Sequence, residues 1–309
     1  MKKIILTLAI VVSTVAVFAQ QDAMYTHYMF NTLSVNPAYA GTRDALTITG
    51  LHRSQWIGFN GAPQTQTLTL HTPISNKNLG VGLSIINDKI GPTKMTAVYA
   101  DFAYKIKVSE EGKLSLGLSG GLNVRENYLI DIPLDNDNDN SFANNEESKL
   151  LPNFGFGAYY YTDKFYVGIS TPKLLKNNFN TNEVEGGINL ASETRHYFFI
   201  AGTIFDINNN FKLKPTMLVK YTYAAPIEGD ITATLLYKDR IWGGLMYRTG
   251  DAVGLLIGMY VTSQLTVGYS FDWSFGNRAV KHNAGSHEIM LMYDLVFKNR
   301  AKIRSPRYF

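Results

Sequence analysis

The chain has 309 residues, no cysteine, and a net charge of +4 from 29 Lys and Arg against 25 Asp and Glu. The missing cysteines exclude disulfides, thiolate metal sites and cysteine nucleophiles, and so small a charge gives no case for nucleic acid. Tyr (19), Phe (17) and Gly (26) are plentiful while charged residues make up only 17%, an unusual balance for a water-soluble globule.

Residues 1–19 read as a secretory signal peptide. Lys2 and Lys3 precede an apolar stretch over 4–18, and Val17-Phe18-Ala19 puts small residues at −3 and −1 of a cleavage site before Gln20. A membrane anchor calls for about 20 apolar residues, more than this stretch supplies. No cysteine follows the cleavage site, so a lipoprotein is not expected. No second long apolar run follows either, which leaves a closed β-barrel as the way across a bilayer, every backbone polar group pairing between strands. Residues 20–44 are too polar and irregular to face lipid. They are expected on the periplasmic side of the first strand, either as a plug in the lumen or along the periplasmic rim.

From residue 45 onward the sequence alternates with period two. Fourteen segments are expected as antiparallel strands: 45–55, 64–72, 79–88, 94–107, 113–124, 152–162, 164–171, 194–206, 211–222, 230–238, 240–248, 252–262, 264–275 and 286–298. In 264–275, Leu265, Val267, Tyr269, Phe271, Trp273 and Phe275 share one face, while Thr266, Gly268, Ser270, Asp272 and Ser274 share the other. The same division separates Leu114, Leu116, Leu118 and Leu122 from Ser115, Gly117, Ser119 and Gly121, and Val98, Phe102 and Tyr104 from Asp101, Ala103 and Lys105. Tyr159, Tyr166, Tyr237, Tyr247 and Tyr260 fall near strand ends and are expected in aromatic girdles. The connections sort by parity. With a periplasmic N-terminus, most of the periplasmic connections are short, and the long connections 125–151, 171–193 and 276–285 all lie outside, a property of outer-membrane barrels. The reading is therefore an all-β transmembrane barrel over 45–298, followed by a basic tail, 299–309, that either meets acidic periplasmic partners or inner-leaflet lipid or is a disordered end.

Ordered motifs at the start carry a family resemblance. They are Gln-Gln-Asp-Ala-Met-Tyr-Thr-His-Tyr-Met-Phe-Asn over 20–31, Asn36-Pro37-Ala38-Tyr39-Ala40-Gly41, Arg53-Ser54-Gln55-Trp56-Ile57-Gly58 and Gly61-Ala62-Pro63. The terminus Ser305-Pro306-Arg307-Tyr308-Phe309 adds to them. The set resembles the PorP/SprF family of type IX secretion and gliding motility in Bacteroidetes. The resemblance implies a non-enzymatic outer-membrane protein that works with other secretion components. It also implies a role in the secretion and surface retention of one large partner, often a gliding adhesin with a type IX C-terminal signal domain.

The motif residues also have physical readings. Asn36, Pro37, Tyr39 and Gly41 read as structural punctuation, since the residue before Pro avoids the helical region and Gly41 can take positive φ. Arg53, Gln55, Trp56, Gly58, Phe59, Gly61 and Pro63 stand at the outer end of the first strand and its turn. They read either as girdle and turn residues or as a partner-binding surface, where Trp and Arg are common anchors. Asp135, Asp137, Asp139, Ser141 and Glu146 have a calcium-loop spacing, with Asn140 where Gly is usual; they form either a Ca²⁺ site or a solvated acidic tract. No cofactor is otherwise expected. The six His form no paired-ligand motif and no Ser-His-acid set is legible. His52 and His282 are the positions a barrel enzyme would use. The alternative function is a porin-like channel lined by residues such as Asp101, Lys105 and Asp272.

Overall fold

A computed structural model describes residues 24–74, 78–128, 146–177, 193–223, 225–275 and 284–296, with backbone only at Glu146 and Glu147. Among the described residues fourteen strands form: β1 (Leu46–Ser54), β2 (Gln64–Ile74), β3 (Leu79–Ile90), β4 (Thr93–Lys107), β5 (Lys113–Asn127), β6 (Glu146–Tyr161), β7 (Phe165–Thr171), β8 (His196–Thr203, continued by Phe205–Asp206), β9 (Phe211–Thr222), β10 (Glu228–Tyr237), β11 (Ile241–Arg248), β12 (Ala252–Tyr260), β13 (Leu265–Ser274) and β14 (Ser286–Leu295). Each pairs antiparallel with its neighbours in sequence, and β1 pairs with β14 from Leu46↔Leu295 to Ser54↔His287. The sheet is therefore a closed ring without an edge, the one sheet form that satisfies its backbone in lipid. Among the described residues no helix is long and apolar enough to cross a membrane.

Alternation decides which way each side chain points. Along β13 Thr266, Ser270, Asp272 and Ser274 are buried inside the ring, while Tyr269, Trp273 and Phe275 just beyond it are exposed. Leu118, Ile231, Leu245 and Leu291 likewise cover the outer surface, as a lipid-facing wall requires. Turns at one end are short (108–112, 162–164, 207–210, 238–240, 261–264). Connections at the other end include the long 128–145, 172–195 and 275–285. That long-loop end is the outer one.

The strands match the expected segments with three differences. The hairpin of β5 and β6 is longer than expected, starting its second arm at Glu146 and closing the intervening loop to 128–145, with a register shift between Arg125 and Asn127. The eighth strand breaks at Ile204, whose side chain is buried. Tyr159 and Tyr166 are not girdle residues. They lie 2% and 1% exposed inside the ring, their rings stacked 5.5 Å apart. Tyr159 shares inward parity with Asn153, and position along the strand misled where parity did not. Tyr260 is partly buried against the core, whereas Tyr237 and Tyr247 face outward.

Residues 24–44 pass through the interior of the ring with two short 3-10 turns, Thr32–Ser34 and Pro37–Tyr39. They run from the outer end, where Thr26 meets Asp272 and Glu288, to the short-turn end, where Arg43 meets Asp294. Glycines on the inner wall make the room. A Cβ at Gly117 would overlap the Ala38 backbone, and one at Gly80 would overlap the Ala40 carbonyl.

The sidedness is testable in lipid. Leu245→Arg, mid-strand on the outer face of β11, is expected to lower barrel stability in vesicles by ~2–4 kcal/mol, read as a fall in the urea midpoint. Leu245→Ile should leave the midpoint nearly unchanged.

Candidate functional site

The interior segment is held at its outer end by a charged cluster built across the barrel seam. Arg53 on β1 stands opposite Glu288 on β14 in the strand register. Its Nη2 lies 2.7 Å from Asp272 Oδ2, and its Nη1 donates to Thr26 Oγ1 at 2.8 Å and to Glu288 Oε2 at 3.3 Å. Glu288 also accepts from the backbone amides of Thr26 (2.9 Å) and His27 (2.8 Å), and its Oε1 is 2.7 Å from His27 Nδ1. Thr26 Oγ1 donates to Asp272 at 2.6 Å. All five residues are 1% exposed or less, so these charge-assisted bonds act without solvent screening.

A second belt lies across β9–β11. Arg248 makes a two-pronged contact with Asp230, both bonds 2.9 Å, and Lys220 pairs with Glu228 at 2.8 Å. Beside it the Tyr28 hydroxyl reaches Thr216 and Thr232, themselves opposite one another on β9 and β10. Phe30 stacks on Trp242 at 4.9 Å, with the Lys214 ammonium 4.9 Å above its ring, a cation–π arrangement.

Farther down, the Asn36-to-Gly41 motif docks the segment on the wall. Asn36 caps the second 3-10 turn by accepting from the Ala38 amide at 3.0 Å, and its amide group donates to the carbonyls of Ala158 and Ile169. Pro37 opens that turn, where its missing N–H costs nothing. The Tyr39 ring stands edge-on to His71 and Tyr159. Gly41 has φ +67 and donates to His71 Nδ1 at 3.1 Å, while its carbonyl accepts from Lys105. Arg43 then bonds Asp294 through Nε and Nη2, and Thr47 donates to the same carboxylate at 2.6 Å.

The first outer loop, 55–63, is held from three sides. Gln55 N donates to Pro63 O across its base, Ile57 N to Gly285 O with Ala284 N returning to Ile57 O, and Gly91 N to Gly61 O. Trp56, at φ +45, donates its indole N–H to Ser274 Oγ. Gly58 and Gly61 take φ +93 and +75, conformations that favour glycine. What the loop presents outward is Ile57, Gly58, Phe59, Asn60 and Gly61, with Ile57 41% and Phe59 49% exposed.

The structure separates the residues expected to meet a partner. Gln55, Trp56, Gly58, Phe59 and Gly61 lie at or beside the loop surface, while Pro63 is buried at its base. Arg53 does not belong with them. It is 1% exposed and points into the ring, because it shares inward parity with Thr47, Thr49 and Leu51 and is engaged by two carboxylates. Lys105 and Asp272, expected as channel lining, hold the interior segment. His52 points outward and bonds Ser54 Oγ. Asp135, Asp137, Asp139 and Ser141, the side chain of Glu146, His282 and the basic tail lie outside the described residues. Among the described residues no group of three or more His, Asp or Glu is placed to hold a metal ion. Sequence reading passed over His27, Glu288, Asp230 and Arg248; the available signal was their charge or polarity at inward parity or in a segment too polar for lipid.

The family described as type IX secretion system membrane protein PorP/SprF matches residues 17–293, nearly the whole chain. The protein belongs to the PorP/SprF family. Membership and the closed barrel together make it an outer-membrane protein of type IX secretion, a system whose components it accompanies. No curated protein matches the chain. Among solved structures the Ralstonia pickettii toluene transporter TbuX is similar over 85% of this chain and 93% of its own, with a TM-score of 0.51 and 7% identity. The monoaromatic hydrocarbon channel CymD aligns over 91% and 95% (TM-score 0.49, 12% identity), and the Acinetobacter baumannii outer membrane protein Omp33 over 82% and 100% (TM-score 0.46, 10% identity). At such identities the likeness to TbuX shows the barrel fold alone.

The grip on the interior segment of this PorP/SprF barrel gives a stability prediction. Arg53→Ala would leave Asp272 and Glu288 buried without their guanidinium and is expected to cost ~3–5 kcal/mol, seen as a lower temperature for loss of the compact band on unboiled gels. Arg53→Lys should recover only part of it, since one ammonium cannot reproduce the fork.

Proposed function

We propose that this PorP/SprF protein is a retention module that supports secretion of one large surface protein and holds it at the cell surface through its outer loops. The observation that carries the reading is the first loop. Its backbone is fixed to 284–285 and to Gly91, yet its tip offers Ile57 and Phe59 to the outside. A loop held in one shape loses little entropy on binding, and exposed apolar residues on such a loop are what a binding anchor needs. Phe59, Gly58 and Gly61 act with Trp56, which shapes the loop from beneath. The family supplies the biological setting, and the partner of this reading is an adhesin bearing a type IX C-terminal signal domain.

The channel reading draws on the likeness to TbuX, a toluene transporter. Against it stands the interior segment, whose Tyr28, Tyr39 and Phe30 fill space that a solute would cross. The acidic residues of 135–146, between β5 and the start of β6, remain a proposed Ca²⁺ site within this scheme.

Two measurements test the proposal. Purification from the native outer membrane in mild detergent should recover a large secreted protein in near-equal amount. Ile57→Ser with Phe59→Ser should reduce that recovery by ~30-fold, the scale of losing an interface hot spot, while the unboiled gel mobility of the barrel stays unchanged. Undiminished recovery from the folded double variant would remove the first loop from the binding surface. In planar bilayers the intact protein should show little steady conductance, and a large stable pore would put the channel reading first.

A further inference from the structure

A pocket of about 90 Å³ lies between the interior segment and the wall made by β3, β4 and β5. Leu33 and Val35 of the segment, Ile86 on β3, Met95 on β4 and Phe198 on β8 give it apolar sides. An apolar cavity of about 150 Å³ accepts a benzene molecule, so this smaller one suits roughly four to five heavy atoms.

One wall is different. Ser84, Asp101 and Ser119 line it from β3, β4 and β5. Asp101 and Ser119 are direct partners in the strand register, and Ser84 lies two residues beyond Gly82, the other partner of Asp101. The three are 4%, 6% and 9% exposed, and Ser84 Oγ, Asp101 Oδ2 and Ser119 Oγ carry no hydrogen bond. Ser84 stands next to Asp101, yet the pair falls short of hydrogen-bond geometry. A buried carboxylate oxygen without a donor is costly wherever it occurs. Elsewhere in this interior the carboxylates of Asp230, Asp272, Glu288 and Asp294 are each engaged by arginine. Lys173, a cation that itself lines the pocket, is paired with Glu193 at 3.7 Å. Asp88, toward the outer end, adds a second carboxylate and accepts from Thr65.

We propose that this pocket binds a small primary amine with a short apolar body, its ammonium seated against Asp101, Ser84 and Ser119. An ammonium has three donors and no acceptor, and the wall offers three unused oxygen acceptors. The aliphatic body then lies against Leu33, Val35 and Met95. Pro172 and Lys173, the first residues of the long outer connection after β7, close one side. An occupied pocket therefore joins the interior segment, the β3–β5 wall and the stem of that connection through one ligand.

The probes are n-butylamine, 1-butanol and butyrate, measured by ligand-observed NMR on the full-length protein in one detergent, with empty micelles as the partition control. The amine should bind at least ~10-fold more tightly than the alcohol, the scale of a charge-assisted hydrogen bond, and butyrate should not bind. Asp101→Asn should abolish the preference for amine over alcohol. Ser119→Ala, which keeps the carboxylate, should reduce it several-fold. Ala97→Met, which fills the pocket, should remove both ligands, and each variant's fold is read from its unboiled gel mobility. Equal binding of amine and alcohol by the intact protein, an undiminished preference in folded Asp101→Asn, or no binding above the micelle control would each overturn the assignment.

Discussion

The carboxylate of Glu288 accepts from two backbone amides of the interior segment while lying against the Arg53 guanidinium and the His27 imidazole. Much of the interior depends on this junction. A barrel whose strands alternate apolar-out and polar-in gathers its polar side chains into a narrow, poorly hydrated space, and groups buried there are costly unless they find partners. The chain supplies many of those partners itself by threading residues 24–44 through the ring. The segment is bound less as an apolar plug than as the complement of the wall's hydrogen-bonding groups. Ser170, for example, donates to the Val35 carbonyl, and Thr69 to the Asn31 side chain.

Two kinds of packing support that exchange. Where the segment's backbone comes closest, beside Ala38 and Ala40, the wall has Gly117 and Gly80. Where side chains project from the segment, the wall has aromatic rings to receive them: Trp242 under Phe30, Tyr159 against Tyr39. The Asn36-to-Gly41 motif therefore has a local explanation. It combines a cap, a fixed φ, an aromatic edge and a positive φ at a point where the chain must turn toward β1 without filling the space beside Gly80.

The strands were legible because their signal is local. A residue and its neighbour two places on share a face, and lipid on one side with polar groups on the other makes the division sharp along β4, β5 and β13. The interior was far less legible. Thr26 and Glu288 are separated by 262 positions, and nothing near either names the other. Arg53 shows the limit well. Its neighbours Gln55 and Trp56 suggested a surface patch, whereas its parity with Thr47 and Thr49 pointed inward, and parity decided. The same rule separates Tyr159 from Tyr237. The outer loop is an intermediate case, since Gly58 and Gly61 announce a turn but the bonds that fix it come from Gly91 and 284–285.

The seam between β1 and β14 has a consequence for assembly. Arg53 belongs to the first strand and Glu288 to the last, and both touch Thr26. The clasp on the segment exists only once the first and last strands have met. Sealing the cylinder thus completes the grip on its contents, and an assembly route that joins those two strands last would close the wall around a segment already in place.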